Sequence, residues 1–178
     1  MKSFIHSMTL LQAHNSHKFA LGLENGIVKT YSFDEKSRDI SPYLDIKEHE
    51  KALTFIYGLR NGNLVTCSTD KLLKIISIPK SFFKNYVVVQ ILQCAPDSFY
   101  YQTVIEMNET NLIAGDWKNI VISKQNKKET NSQEHGYIEL NRIAINNRIT
   151  ALLQVDDGVF VSAHYGIATT LKILKFLI

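Results

Sequence analysis

The chain has 178 residues, 45% of them hydrophobic and 21% charged, with a formal net charge of +3. That is chain enough for a sizeable core, but the charge gives little long-range attraction to phosphate backbones or anionic lipid. Its two cysteines, Cys67 and Cys94, exclude a disulfide-stapled scaffold and a four-cysteine zinc site, and both are expected to be reduced.

No apolar run approaches the ~20 residues of a membrane helix. His6, Ser7 and Thr9 interrupt the opening stretch, so no secretory leader is expected and the chain reads as cytoplasmic or nuclear. In chain order, an apolar run at Ile5–Gln12 leads through the polar turn Ala13–His17 into Phe19–Phe33. That segment is two β-type runs joined by a turn, and a further run follows at Ile40–Ile46. The same grammar returns at Ala52–Leu59, the turn Arg60–Asn63, Leu64–Ile78 and Tyr86–Leu92. It returns again at Gln102–Met107, the turn Asn108–Asn111, Leu112–Gln125 and Tyr137–Ile145. The last set is Ile149–Val155, the turn Asp156–Gly158 and Phe160–Leu174, with extra residues around Gly166 and Ile167.

Each run is rich in β-branched and aromatic residues, and each turn carries Asn, Asp or Gly, which tolerate tight backbone angles. The equivalent positions Ala20, Val65, Ile113 and Val161 are separated by 45, 48 and 48 residues. No helix-length stretch has a 3.6-residue period. Four short strands per period is the pattern of a propeller blade, whose faces must be hidden by stacking on neighbours. The expected fold is therefore an all-β β-propeller segment over residues 1–178, with about four four-stranded antiparallel blades near 1–46, 49–92, 100–145 and 148–178. Alternation is expected to bury Val65, Ile75, Ile113 and Val161. The position shared by Gly22, Cys67, Gly115 and Ala163 calls for a small buried residue.

The second set, LVTCSTDKLLKIISI, resembles the core of a WD repeat: a small-residue strand, Ser-x-Asp, then an apolar strand. His49 stands 21 residues before Asp70, close to the family's histidine-to-aspartate spacing, with Glu48 in place of the usual glycine. The resemblance implies a structural hydrogen-bond network of His49, Ser68 and Asp70, with Ile76 where the family has tryptophan. The other sets depart further, with Asn25 and Lys118 at the aspartate position and Tyr31 and Leu174 at the tryptophan position. Rings of this family use about seven blades of roughly 40–45 residues, so an incomplete ring is expected. Self-association through uncovered faces would follow from an open ring.

Features that could carry chemistry are sparse. His14 and His17 form an H-x-x-H pair downstream of His6, but a metal site needs a third ligand, and these read as exposed turn residues. Cys94, before the CAPDS loop, has no C-x-x-C or histidine partner in sequence. Residues 124–136 read as a solvated polar loop. No phosphate loop, nucleophile elbow, H-E-x-x-H or paired-carboxylate pattern is present. No catalytic residue, metal or cofactor is therefore expected, and Arg142, Arg148 and Lys172 are too scattered to form a basic stripe for nucleic acid.

The turn between second and third strands carries Trp117 and Lys118 in one copy, Tyr165 in another and Lys71 in a third. Tryptophan and tyrosine dominate interface energies. In WD-repeat proteins these turns share a partner-binding face with the fourth-to-first-strand loops. Trp117, Lys118, Tyr165 and Lys71 are the candidate contact residues of a noncatalytic scaffold that binds other proteins. The alternatives are a propeller enzyme, or a phosphoinositide- or nucleic-acid-binding propeller; the first lacks converging acids and bases, the second the Arg-Arg motif.

Overall fold

The computed structural model describes residues 3–11, 17–79, 85–108, 110–126, 136–145, 147–165 and 170–175, the last of these as backbone only. Every regular element among them is a β-strand. Strands β1 (Ile5–Leu11), β2 (His17–Leu23), β3 (Ile27–Phe33) and β4 (Ile40–Lys47) form the first sheet. Strands β5 (Leu53–Gly58), β6 (Asn63–Ser68), β7 (Leu72–Ser77) and β8 (Val87–Gln93) form the second. Strands β9 (Thr103–Met107), β10 (Asn111–Gly115), β11 (Asn119–Asn126) and β12 (Gly136–Ala144) form the third. The fourth shows three strands, β13 (Arg148–Asp156), β14 (Val159–Tyr165) and β15 (Thr170–Lys175).

Within each sheet, chain order is spatial order and every pairing is antiparallel. Even the irregularities repeat. The third-to-fourth-strand ladder slips between Thr30 and Tyr31, between Ile75 and Ile76, and between Ile122 and Ser123. A register slip at the same place in successive sheets marks them as copies of one unit, because bulges are built-in features rather than defects.

The chain divides into two compact units, residues 1–93 and 94–178, each holding two sheets. In the first unit, Leu11, Ala20, Val28 and Ile46 of one sheet pack on Leu53, Ile56, Leu64 and Ile76 of the next. In the second, Ile105, Met107, Ile113 and Ile120 pack with Ile149, Leu152 and Phe160. The sheets approach closely through glycine: a Cβ on Gly22 would stand 3.1 Å from Ile56 Cγ2 and 3.4 Å from Leu53 Cδ1. The backbone of β5 is also tied to β1, since Ile56 N donates to Ser7 Oγ at 3.2 Å and Gly58 N to Thr9 Oγ1 at 3.0 Å.

Val65, Ile75 and Ile113 are buried, as alternation requires. Val161 is not; it is half-exposed. Alternation along β14 instead sends Phe160, Ser162 and His164 inward, all at most 1% exposed. Val161 lies on the opposite face of that strand. The equivalent face receives β5 at Gly22 of the first sheet and β13 at Gly115 of the third.

Candidate functional site

Two polar constellations stand out, one in each unit. The first joins β6 to the segment ahead of β5. His49 Nδ1 lies 2.8 Å from Asp70 Oδ2, and the two side chains are 1% and 11% exposed. A carboxylate only accepts, so Nδ1 carries the proton and donates. Burial pushes the imidazole below its ordinary range, against the opposing pull of Asp70. A neutral ring leaves Nε2 an acceptor, and the hydroxyl that reaches it is that of Thr66, at 2.8 Å.

Ser68, the hydroxyl expected there, sits one step along the turn. It donates to Lys51 O at 3.1 Å and accepts from Asp70 N, also at 3.1 Å. Thr66 and Ser68 share one face of β6, so position along the strand separates them: Thr66 stands within the ladder opposite Lys74 and reaches the histidine, while Ser68 lies at the strand end and staples the turn. Across the ladder Thr66 faces Lys74, whereas Ile76 faces Leu64 in the core. Lys74 Nζ in turn donates to Glu48 O. Asp70 also holds the turn through its other oxygen, accepting from Leu72 N at 3.0 Å. This network satisfies buried polar groups and ties strands together; it exposes no group for chemistry.

The second constellation is a cavity of about 320 Å³ lined by Phe99, Trp117, Lys118, Asn147, Arg148 and Tyr165. It is assembled from the β10–β11 turn, the β12–β13 connection, the end of β14 and the segment before β9. Three of the four candidate contact residues thus meet in one place. Lys71 lies in the other unit, in the β6–β7 turn with φ of 74°.

The turn bearing Trp117 is held rigidly from below. Asp116 is fully buried, and its Oδ1 accepts from the backbone N of Lys118 and of Asn119, both at 2.7 Å. The backbone of the turn is bound to both ends of the β12–β13 connection, with Ile145 N donating to Lys118 O at 2.7 Å and Ile149 N to Asp116 O at 3.3 Å. An Asp that caps its own turn fixes the residue after it. Trp117 is neither freely exposed nor buried in the core. Its ring lies 4.8 Å from Phe99 and 5.8 Å edge-on to Tyr100, and Arg148 Cζ stands 5.0 Å from its centre. Phe99 is 56% exposed and Tyr165 69%. Phe99, Tyr100 and Arg148 have no part in the strand pattern that singles out Trp117, which is why periodicity does not find them.

His17 Nε2 pairs with Glu35 at 2.8 Å on the surface, and His14 lies outside the described residues. Most of residues 124–136, and Gly166 and Ile167, also lie outside them. Cys67 and Cys94 are buried and not disulfide-bonded. Among the described residues, no three His, Cys, Asp or Glu side chains come together in a metal-binding arrangement, and no helix is long and apolar enough to cross a membrane.

No family model and no curated protein matches the sequence. Solved structures do. The β-propeller domain of Myceliophteria thermophila Cps50 (Swd1) superposes with a TM-score of 0.73 at 8% identity, covering 98% of this chain and 54% of that one. A chain of a mitotic checkpoint complex gives 0.74 at 12% identity, over 97% of this chain and 50% of that one. The fold is a β-propeller fold. The chain spans about half the length of these two propeller chains. It is also similar to the computationally designed Ika4 protein, with a TM-score of 0.69 at 16% identity, over 99% of this chain and 94% of that one.

Proposed function

We propose that this propeller segment is a noncatalytic protein-interaction module of the WD-repeat type, and that the partner is held at the Trp117 cavity. The observation that carries the reading is the convergence of Trp117, Phe99 and Tyr165 with Arg148 around one opening, on a turn locked by Asp116. Exposed aromatic and arginine side chains on a rigid base are the residues from which interface hot spots are built. A rigid base matters because it removes the ordering cost of binding. The described lining contains no carboxylate, imidazole or thiol that could transfer a proton or attack a substrate. The His49–Asp70 pair, which with Ser68 carries the WD-repeat resemblance, supports the label, and with Thr66 it serves the fold.

The test is quantitative capture from cell extract with the wild-type chain and with Tyr165→Ala. Tyr165 is exposed, so its loss should leave the melting temperature within a degree or two while depleting specific partners by about tenfold or more. Identical partner profiles would refute the assignment of the cavity.

A further inference from the structure

The Trp117 cavity is rich in donors and poor in acceptors. Two buried N–H groups on its lining side chains, Trp117 Nε1 and Arg148 Nε, have no acceptor among the described residues. Buried donors in folded proteins are paired with few exceptions, so two in one cluster point to an acceptor supplied from outside. The described lining includes two cations, Lys118 and Arg148, and no carboxylate. Lys118 pairs, among the described residues, with the exposed Asp97 at 3.3 Å, a pair that water screens. Arg148 Nη2 donates to Gln102 Oε1 at 3.0 Å, which anchors one arm of the fork. Arg148 Cζ lies over the indole at 5.0 Å, and the N–H groups of a guanidinium lie in its own plane, the geometry that suits a planar acceptor. Beside it, the exposed rings of Phe99 and Tyr165 offer faces to a second flat side chain.

We propose that the cavity receives a peptide segment in which a Glu or Asp side chain stands next to an aromatic one, the carboxylate at Arg148 and Lys118 and the ring against Phe99 and Tyr165. The proposal rests on the interaction reading above and names its ligand chemistry. A carboxylate fits better than a phosphate. One partly engaged guanidinium and one partly neutralised ammonium match a single negative charge, whereas a phosphoryl group of about −1.5 to −2 calls for a cluster of arginines. A volume of about 320 Å³ holds a pair of side chains, not a folded domain.

Trp117 is the one tryptophan of the chain, so its emission reports directly on the cavity. The intact chain is titrated with acetyl-Gly-Glu-Phe-Gly-amide, with the Gln counterpart, and with the phosphoserine counterpart. The Glu peptide should produce a saturable change and bind about tenfold tighter than the Gln peptide, with the preference shrinking as salt rises. Lys118→Gln, at an exposed head group, should weaken the Glu peptide and leave the Gln peptide unchanged. Arg148→Lys, which keeps the charge and removes the fork, should abolish most of the preference. Equal binding of the Glu and Gln peptides, no response to the Glu peptide, or phosphoserine binding tenfold tighter than Glu would each overturn the proposal. If any of these occurs while Tyr165→Ala still loses its partners, the acidic-peptide assignment falls and the interaction reading stands. If Tyr165→Ala keeps every partner, the reading beneath it falls as well.

Discussion

Gly115 lies directly under Ile149: a Cβ placed on it would stand 2.7 Å from Ile149 Cγ2 and 3.1 Å from Ile149 Cβ. The two residues belong to adjacent sheets, so the distance sets how closely those sheets stack. Gly115→Ala should cost about 1–3 kcal/mol by overpacking, or roughly 2–10 °C in melting temperature for a chain of this size. Gly22→Ala should cost less, because its nearest neighbour, Ile56 Cγ2, stands off at 3.1 Å. Thermal denaturation of the two variants side by side checks the order; a larger loss at Gly22 would contradict the packing.

Asp70→Ala removes the acceptor of a buried histidine and the staple of the β6–β7 turn together. The expected loss is about 1–3 kcal/mol of stability, with no direct effect on partner binding by the folded fraction. Loss of binding at an unchanged melting temperature would contradict its structural role.

The buried imidazole has a pH consequence. His49 is held neutral in the fold, with its pKa lowered by burial, while in the unfolded chain it titrates near the ordinary value of about 6.5. Above that value both states are neutral and the stabilisation is complete. As pH falls through it the unfolded chain takes up the proton first, so stability is lost progressively until the folded value is passed. The melting temperature should therefore drop between about pH 7.5 and 5.5, and the drop should shrink in His49→Gln. An equal drop in both proteins would sink this assignment.

Lys71 sits in the left-handed region with φ of 74°, a conformation that costs a side chain with a Cβ about 1–2 kcal/mol. Lys71→Gly should relieve that strain at the expense of a more flexible unfolded chain. The expected net gain is at most about 1 kcal/mol, read from a denaturant melt. A loss of stability would show that the lysine side chain holds the turn.

The strand pattern is legible in the residues because a propeller repeats one local problem. Each copy carries the same apolar alternation, and a small residue stands where a neighbouring sheet crosses within each unit. Gly22 and Gly115 meet β5 and β13 for this reason. The His49–Asp70 pair is legible because its 21-residue spacing marks it in the sequence. What is not legible depends on which way a side chain turns. Thr66 and Ser68 are both hydroxyls on one face of one strand, and only the height at which His49 meets that strand decides that Thr66 reaches the ring. Val161 has the right residue type for the core but occupies the face left half-exposed. Phe99 reaches Trp117 from the connection before β9 and Arg148 from the first position of β13, so only the folded chain brings them together.

A Trp117 cavity that holds a partner must touch it. A photoreactive benzoylphenylalanine placed at Tyr165 or Phe99 reads that contact directly, with the exposed Ile40 as the control position. Discrete adducts with another protein from positions 165 and 99, and none from 40, are the predicted result. Adducts in equal measure from all three, or from position 40 alone, would contradict it.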